Sequence, residues 1–221
     1  MEAEDIIIPY KGSNYKYVNG KLFSNGSEFT GKQKGFLKKT VNALNKISTT
    51  VEGRVLINEL QSSSNVFLIT KGSSGFKGAD HKKAYANQFK TDPSGKKIYD
   101  ALLKAGYDFS GGSGGTVSWD PSGSALPTTK GILKNATTDL GHELFHALDA
   151  NRGLLDSRLY KGVKRSEWQA VYRENILRGE LKMPLRTHYI KSVDPSGNIL
   201  GGAGPRMLTP SNSPIKPSWY K

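Results

Sequence analysis

The chain has 221 residues, with 32 lysines and arginines against 19 aspartates and glutamates, and no cysteine. Its length fits one domain over residues 1–221, and 36% hydrophobic residues with 25 glycines and 10 prolines indicate a loop-rich α+β fold. The longest apolar runs, at residues 6–8 and 66–69, are too short to cross a membrane, so we expect no membrane insertion. Without cysteine, any metal must be held by histidine and carboxylates.

The formal net charge of +13 is distributed along the whole sequence rather than gathered in one segment. It occurs as short pairs such as Lys82-Lys83 and Lys164-Arg165, and the sequence has no basic helix stripe interleaved with aromatic residues. We therefore expect a solvated basic surface and no nucleic-acid partner. Residues 1–5 are acidic and lack the apolar segment of a secretory signal, so secretion or translocation into a target cell would proceed without a cleaved signal peptide.

In the first half of the chain, alternating residues on both sides of Asn19-Gly20 predict a β-hairpin. Apolar residues at helical spacing predict two consecutive helices, over 36–47 and 55–60. Residues 65–70 are rich in apolar and β-branched side chains and are typical of a buried strand. His81 is expected in the loop that follows, without a functional role.

In the second half, a weak helix over 97–105 leads into a glycine-rich stretch that lacks the Lys-Ser/Thr ending of a phosphate-binding loop. Residues 116–119 predict a further strand, and residues 136–150 and 166–180 predict two helices. After residue 190 the sequence is rich in Gly, Pro and Ser, which predicts an extended tail over 190–221. An Asp-Pro-Ser-Gly sequence is expected to form turns at three places: 92–95, 120–123 and 194–197.

The helix predicted over 136–150 carries the sequence His-Glu-Leu-Phe-His. His142 and His146 are four residues apart, so both imidazoles lie on one helical face and can reach one ion at about 2.0–2.1 Å. This is the H-E-x-x-H pattern of metallopeptidases, in which the metal activates water and the glutamate takes its proton. We predict His142 and His146 as metal ligands and Glu143 as general base. The alternative, an amphipathic helix whose polar residues face solvent, is disfavoured because the helix has a separate apolar face.

A catalytic zinc takes three protein ligands and leaves a fourth position open, so a third ligand must come from elsewhere. The remaining histidines, His81 and His188, have no supporting sequence context. A carboxylate from the helix over 166–180 is therefore favoured, since Glu167 and Glu174 share one face with small and apolar residues between them. We prefer Glu167 as the ligand and keep Glu174 as the alternative.

Two aspartates are further candidates for this centre. Asp149 and Asp156 could each supply the third ligand, but Asp149 lies one turn beyond His146 and is better placed to orient a ligand histidine by a hydrogen bond. A solvated helix charge is the alternative role for Asp149. The extended metzincin pattern would place a histidine at Arg152, so a metzincin is excluded and a glutamate ligand of gluzincin type is expected.

The sequence resembles the NleD-like zinc-metallopeptidase effectors, whose relatives also occur as toxin modules at the carboxy ends of bacterial Rhs-type proteins. Residues 142–148 match the H-E-L-x-H-A-L run of that family, Glu174-Asn175 its E-N element and residues 185–189 its L-R-x-x-Y element. The initial hairpin and Thr30-Gly31 look like its amino-terminal part. The R-x-x-Y pair, with a glutamate about a dozen residues before its arginine, is also similar to the clostridial neurotoxin light chains.

The resemblance implies a zinc endopeptidase that is injected into, or released against, another cell and cleaves its proteins. It implies that Arg186 and Tyr189 stabilise the oxyanion and that Glu174 supports a zinc ligand, which strengthens Glu167 as the third ligand. The sequence departs from the family because Glu167 stands alone, where related effectors often carry paired acids. Some family members cleave stress-activated protein kinases, but these residues do not identify a substrate.

We therefore expect a monomeric, zincin-like α+β domain of gluzincin type, with a small sheet, an H-E-x-x-H helix and a following Glu-bearing helix. Its cofactor is Zn²⁺ and its partner is a protein substrate. An edge strand, at 65–70 or 116–119, is expected to hold extended substrate by strand addition. The rival interpretation is a non-catalytic, basic binding module with a structural zinc site, which would be closed by four protein ligands. A nucleic-acid-binding toxin is the third interpretation, and salt-dependent binding of DNA or RNA would reveal it.

Overall fold

A seven-stranded mixed sheet forms the centre of the computed structural model, which describes residues 6–220. The strand order is β4-β3-β2-β1-β5-β7-β6; β1, β5 and β7 are parallel, and the remaining neighbours are antiparallel. Its strands are β1 (Ile6–Tyr10), β2 (Ser13–Val18), β3 (Lys21–Ser24), β4 (Ser27–Glu28), β5 (Phe67–Lys71), β6 (Gly75–Gly78) and β7 (Gly115–Trp119). The mixed α+β class predicted from the sequence is confirmed.

Three two-stranded hairpins and seven helices complete the described part of the chain. The hairpins are β8 (Ala125–Thr128) with β9 (Gly131–Lys134), β10 (Leu159–Tyr160) with β11 (Val163–Lys164), and β12 (His188–Val193) with β13 (Ile199–Arg206). The helices are α1 (Gly35–Ser48), α2 (Val51–Ser62), α3 (His81–Ala84), α4 (Ala86–Thr91), α5 (Pro93–Lys104), α6 (Ala136–Asn151) and α7 (Arg165–Glu180). None of these helices has the length and apolar character needed to cross a bilayer.

The core lies between the sheet and the helices α1, α2, α6 and α7. Side chains alternate along the strands, so Ile6 and Ile8 are fully buried while Ile7 faces the other side of the sheet. α6 and α7 approach closely at Gly141, where an added Cβ would lie 2.6 Å from the Leu177 side chain. Glycine at this position of α6 therefore permits the contact between the two helices that carry the candidate site.

Most of the predicted elements are confirmed, including the hairpin at Asn19-Gly20. Both residues of this turn have positive φ, at 48° and 87°, as a two-residue hairpin turn requires. The prediction of a turn at residues 92–95 was wrong, because Asp92 accepts a hydrogen bond from Gly95 N and caps α5, which begins at Pro93. Proline directly after a capping aspartate favours a helix start over a turn.

The prediction that β5 or β7 is an edge strand was wrong. β5 lies between β1 and β7, and β7 lies between β5 and β6, so the edge on this side of the sheet is β6. The sequence of β6 is Gly-Phe-Lys-Gly, which has one apolar residue and no alternation that would mark a strand. The strand that can accept a partner beside α6 is therefore β6.

The segment after residue 190 differs from an extended tail. Its first part is the β12–β13 hairpin, and its later part folds back so that Met207, Leu208 and Tyr220 are buried. β13 has the sequence Ile-Leu-Gly-Gly-Ala-Gly-Pro-Arg, whose glycines and proline have low strand propensity and hide the hairpin from a sequence-based prediction.

Candidate metal centre

The candidate centre lies between α6 and α7. Asn135 caps α6 by accepting a hydrogen bond from Thr138 N at 2.9 Å, and residues 138–150 of the helix are all buried. A buried helix places polar side chains against neighbouring elements instead of solvent, so the faces of α6 that carry His142 and His146 are directed at α7.

Three predicted ligands converge at this place. Oε2 of Glu167 lies 3.2 Å from Nε2 of His142 and 3.1 Å from Nε2 of His146. One ligand atom from each of the three residues lies within 4.8 Å of the other two. In a tetrahedral zinc site with bonds of about 2.0–2.1 Å, ligand atoms are about 3.3–3.4 Å apart. Two imidazole nitrogens and one carboxylate oxygen at these distances fit a metal ion.

Glu174, the alternative ligand, occupies a different place. Its Oε2 lies 3.0 Å from Nδ1 of His142, on the side of the ring that points away from Glu167. It also accepts hydrogen bonds from Arg178 at 2.7 Å and from Arg186 at 3.0 Å. Burial opposes ionisation, but the two guanidinium groups keep the pKa of Glu174 well below its usual value. Glu174 is thus a charged, fully buried carboxylate that fixes the ring orientation of His142.

The two aspartates lie outside the group of converging ligands. Asp149 is fully buried and accepts a hydrogen bond from the Tyr220 hydroxyl at 2.7 Å; within residues 6–220 it makes no hydrogen bond to His146. Burial raises the pKa of Asp149 to about 6. Asp156 forms an ion pair with Arg158 at 2.6 Å. The contact of Asp149 with the tail could not be expected from local spacing, since 71 residues separate the partners.

Arg186 is placed by the Glu174-Asn175 pair. Asn175 accepts a hydrogen bond from Arg186 N at 2.7 Å and donates one to Arg186 O at 2.9 Å, so it holds the backbone, while Glu174 binds the guanidinium. The same guanidinium donates to the carbonyls of His188 at 3.2 Å and Tyr189 at 3.4 Å. The E-N and R-x-x-Y elements therefore form one hydrogen-bonded unit beside His142.

A bend in β12 turns Tyr189 toward the centre. The pairing of β12 with β13 shifts register between His188 and Ile190, as in a β-bulge, which redirects one side chain. The Tyr189 ring stacks on His142 with centroids 6.4 Å apart and lies under the Arg186 guanidinium at 5.1 Å. Burial and the nearby Glu167 carboxylate raise the pKa of Tyr189, so its hydroxyl stays protonated at neutral pH.

Glu143 lies where two cavities meet. A cavity of about 430 Å³ is lined by Ser124, Asp139, Arg186 and Lys191, and one of about 240 Å³ by Phe76, Tyr85, Leu155 and Lys164. Both cavities are also lined by Ser74, His142, Glu143 and Tyr189. They therefore form one cleft that passes over the H-E-x-x-H face, with β6 along the smaller cavity.

The carboxylate of Glu143 is free to act in this cleft. It is 8% exposed, and no group within the described chain donates a hydrogen bond to it. Burial raises the pKa of Glu143 above its ordinary value, which makes the carboxylate a stronger base. A further cleft of about 430 Å³ on the outer face of β1–β3 contains none of these residues.

Sequence reasoning missed several residues that line the cleft, among them four with titratable side chains: Tyr85, Asp139, Lys164 and Lys191. They come from the α3–α4 junction, the first turn of α6, β11 and β12. No local motif links these segments, and only the tertiary fold brings them to one cleft.

The Peptidase M91 model, described as an effector protein family, matches residues 24–189. The chain belongs to this family. The match includes both helices of the centre and extends to Tyr189, and it confirms the resemblance to NleD-like effector peptidases. No curated protein and no solved structure matches the chain.

The metal affinity of this centre should rise with pH. Burial alone would lower the pKa of His142, but hydrogen bonds to Glu167 and Glu174 raise it to about 10 in the metal-free protein. Because protons compete with metal for the imidazoles, zinc affinity should increase from pH 6.5 to about 10. The stability of the metal-free protein should change in the opposite direction, since the protonated histidine stabilises the fold below its unfolded pKa of about 6.5.

Zinc competition with a chelating dye and thermal unfolding of the metal-free protein, both measured across pH 6–10, test these opposite slopes. A zinc affinity independent of pH, or a metal-free protein that becomes more stable as pH rises, would contradict the prediction. His142→Ala serves as the reference in the unfolding measurement, because it removes this ring and leaves His146, whose pKa is also raised.

Proposed function

We propose that this protein is a zinc-dependent endopeptidase of the zincin-like, gluzincin type, formed by a single domain. As a bacterial effector or toxin, it would be delivered into another cell and cleave proteins there. The observation that carries the proposal is the convergence of His142, His146 and Glu167 beside the unbonded carboxylate of Glu143, in a chain of the M91 peptidase family. The cluster offers three ligands, as an open catalytic site does, whereas a structural zinc site takes four.

His142, His146 and Glu167 would hold the ion, which supplies Lewis-acid polarisation of the peptide carbonyl and lowers the pKa of water. Glu143 accepts the proton of the attacking water and then donates it to the leaving amine. The Tyr189 hydroxyl, with Arg186 behind it, donates to the oxygen that becomes negative in the tetrahedral intermediate. Glu174 keeps His142 oriented, and the shared cleft holds the substrate across Glu143.

The edge strand β6 is the element that would bind the substrate backbone. Among the strands of residues 6–220 it pairs with β7 alone, and Gly75 and Phe76 line the cleft beside His142 and Glu143. An extended peptide could continue the sheet along β6 by main-chain hydrogen bonds, with alternate side chains entering the two cavities. β6 takes the role that we predicted for β5 or β7, because each of those strands is paired with a neighbouring strand on both sides.

The two glutamates of α7 should differ in their effect on zinc. Glu167→Gln replaces a charged ligand with a neutral amide. Because one of only three protein ligands is lost, zinc binding should weaken by at least about 10³-fold. Glu174→Gln loses a contact to His142 and should cost about 10–100-fold in affinity or activity. Equilibrium zinc competition on both variants measures the ranking. The reverse order would transfer ligand status to Glu174.

Tyr189→Phe tests the proposed oxyanion contact. The substitution keeps the ring that stacks on His142 and removes only the hydroxyl, so folding and zinc content should not change. If the hydroxyl donates in the transition state, kcat should fall by roughly 10²–10³-fold with little change in KM. Steady-state kinetics and zinc analysis on the same preparation decide the point. A kcat within a few fold of wild type would assign Tyr189 to packing.

The proposed function itself is tested by incubating the purified, zinc-loaded protein with lysate of a candidate target cell. Newly formed amino termini, identified by mass spectrometry, should appear with wild type and be absent with Glu143→Gln. If wild type and variant give the same termini, or neither gives any in lysates of several candidate target cells, the protein is not an endopeptidase of this kind.

A further inference from the structure

Each side of the cleft carries one lysine that has no ion-pair partner within residues 6–220. Lys191 lines the larger cavity and Lys164 the smaller one, and Glu143 lies at the junction between them. Neither lysine forms an ion pair or a side-chain hydrogen bond with another described residue. The two ammonium groups are therefore available to a bound molecule that crosses the cleft.

The ammonium group of Lys191 lies near both a cationic and an acidic side chain but forms no ion pair with a described residue. Burial, and to a smaller extent the nearby Arg186 guanidinium, lower the pKa of this lysine, while Asp139 acts in the opposite direction. Asp139 and Glu143 are the acidic groups that line the same cavity; Asp139 is buried and accepts a hydrogen bond from Ser124 N, and Glu143 is the proposed general base. Burial raises the pKa of Asp139 above its ordinary value, and this carboxylate partly offsets the effect of Arg186 on Lys191.

Lys164 lies at the end of β11, directly before α7, and is exposed at the mouth of the smaller cavity. The acidic group closest in sequence, Glu167, already contacts both His142 and His146. Asp156 is also engaged, since Arg158 lies 2.6 Å and Arg165 3.5 Å from its carboxylate. The ammonium group of Lys164 is therefore available to a molecule bound in the cleft.

We propose that Lys191 and Lys164 select peptide substrates with a glutamate or aspartate on each side of the cleaved bond. The inference rests on the proposed peptidase function and adds the chemical class of its substrate. A peptide lying along β6 would place side chains from opposite sides of the scissile bond in the two cavities. Each acidic side chain would meet one lysine in a partly enclosed cleft, where a charge pair is screened less than on an open surface.

The preference should appear in a synthetic mixture of peptides with randomised sequence, digested by the zinc-loaded protein. Glutamate or aspartate should be enriched within about two residues on both sides of the cleaved bonds. Each acidic residue should raise kcat/KM about threefold to tenfold, and the gain should decrease as salt concentration increases. Most of the effect should be in KM, since the contact exists before and during reaction.

Charge reversal at each lysine separates a contact with substrate from a structural role. Lys191→Glu should abolish the acidic preference on one side of the cleaved bond and replace it with a preference for lysine or arginine. Lys164→Glu should do the same on the other side. Lys38→Glu, on the exposed surface of α1 and outside the cleft, makes the same change in net charge and should leave the specificity profile unchanged.

Three results would overturn the inference: a wild-type profile without acidic enrichment, an unchanged profile in both cleft variants, or an equal shift in Lys38→Glu. These results leave the peptidase function intact, because cleavage still occurs in each case. Absence of cleavage in the peptide mixture and in target-cell lysate would instead reject the proposed function and this inference with it.

Discussion

Replacing His142 or His146 with alanine should reduce zinc content from about one ion per chain to nearly none and abolish peptidase activity. Each variant removes one of three ligands, and no other histidine lies within the cluster. The binding free energy comes from the complete ligand set, so we expect the affinity to fall by at least about 10³-fold. The effect is expected to be of the same order as that of Glu167→Gln.

Elemental analysis after dialysis, together with thermal unfolding, measures the outcome. The metal-free variants should remain folded, since α6 is held by apolar packing of Leu140, Leu144 and Leu148 against the core. His81→Ala is the matched control, because His81 is exposed on α3 and lies outside the cluster. Undiminished zinc in both His142→Ala and His146→Ala would remove the metal site from this helix.

Features set by local sequence were the ones that could be predicted. The turn at Asn19-Gly20 and the four-residue spacing of His142 and His146 depend on backbone geometry within a few residues. The same is true of α6, which begins at a capping asparagine, Asn135. Such features are determined by neighbouring residues, so a short stretch of sequence is enough to predict them.

The sequence limited the candidates for the third metal ligand mainly to Glu167 and Glu174 but could not decide between them. The two glutamates are seven residues apart, or about 10.5 Å along a helix, so we expect only one of the two carboxylates to ligate the metal ion. The structure separates them on His142, with Glu167 near Nε2 and Glu174 near Nδ1. Which glutamate faces which nitrogen depends on how α7 crosses α6, and the two helices lie so close at Gly141 that an added Cβ would meet the Leu177 side chain.

Features that depend on distant segments could not be predicted. β6 is the edge strand because of the strand order in the sheet, which is a tertiary feature. Its own sequence has lower strand propensity than that of β5 and did not predict a strand. Lys164 and Lys191 come from different hairpins and meet the same cleft only in the folded chain. The hydrogen bond from Tyr220 to Asp149 likewise joins residues that no local pattern relates.

Glu143→Gln should abolish catalysis while leaving the metal centre and the fold in place. Glutamine has nearly the same shape but cannot accept the proton of the attacking water, and loss of a general base typically costs 10²–10⁴-fold in rate, so we expect kcat to fall by about 10³-fold or more. Glu143 is outside the ligand cluster, and no described residue donates a hydrogen bond to it. Zinc content should therefore equal that of wild type.

Stability provides the internal control for this variant. The folded pKa of Glu143 is raised above its unfolded value, so the ionised carboxylate destabilises the folded protein at neutral pH. Glutamine removes that charge, and the melting temperature at pH 7 should be equal to or higher than that of wild type. The difference should disappear when the pH falls below the unfolded pKa of about 4.3, where the glutamate is protonated in both states.

The pH profile of activity tests the same group in the wild-type protein. Because Glu143 must be ionised to accept a proton, kcat/KM should decline as the pH falls through its raised pKa. Glu143→Asp keeps a carboxylate but withdraws it from the cleft by one methylene, so it should retain more activity than Glu143→Gln and show the same acidic limb. Turnover of Glu143→Gln within a few fold of wild type, with normal zinc content, would remove Glu143 as the base and require another proton acceptor in the cleft.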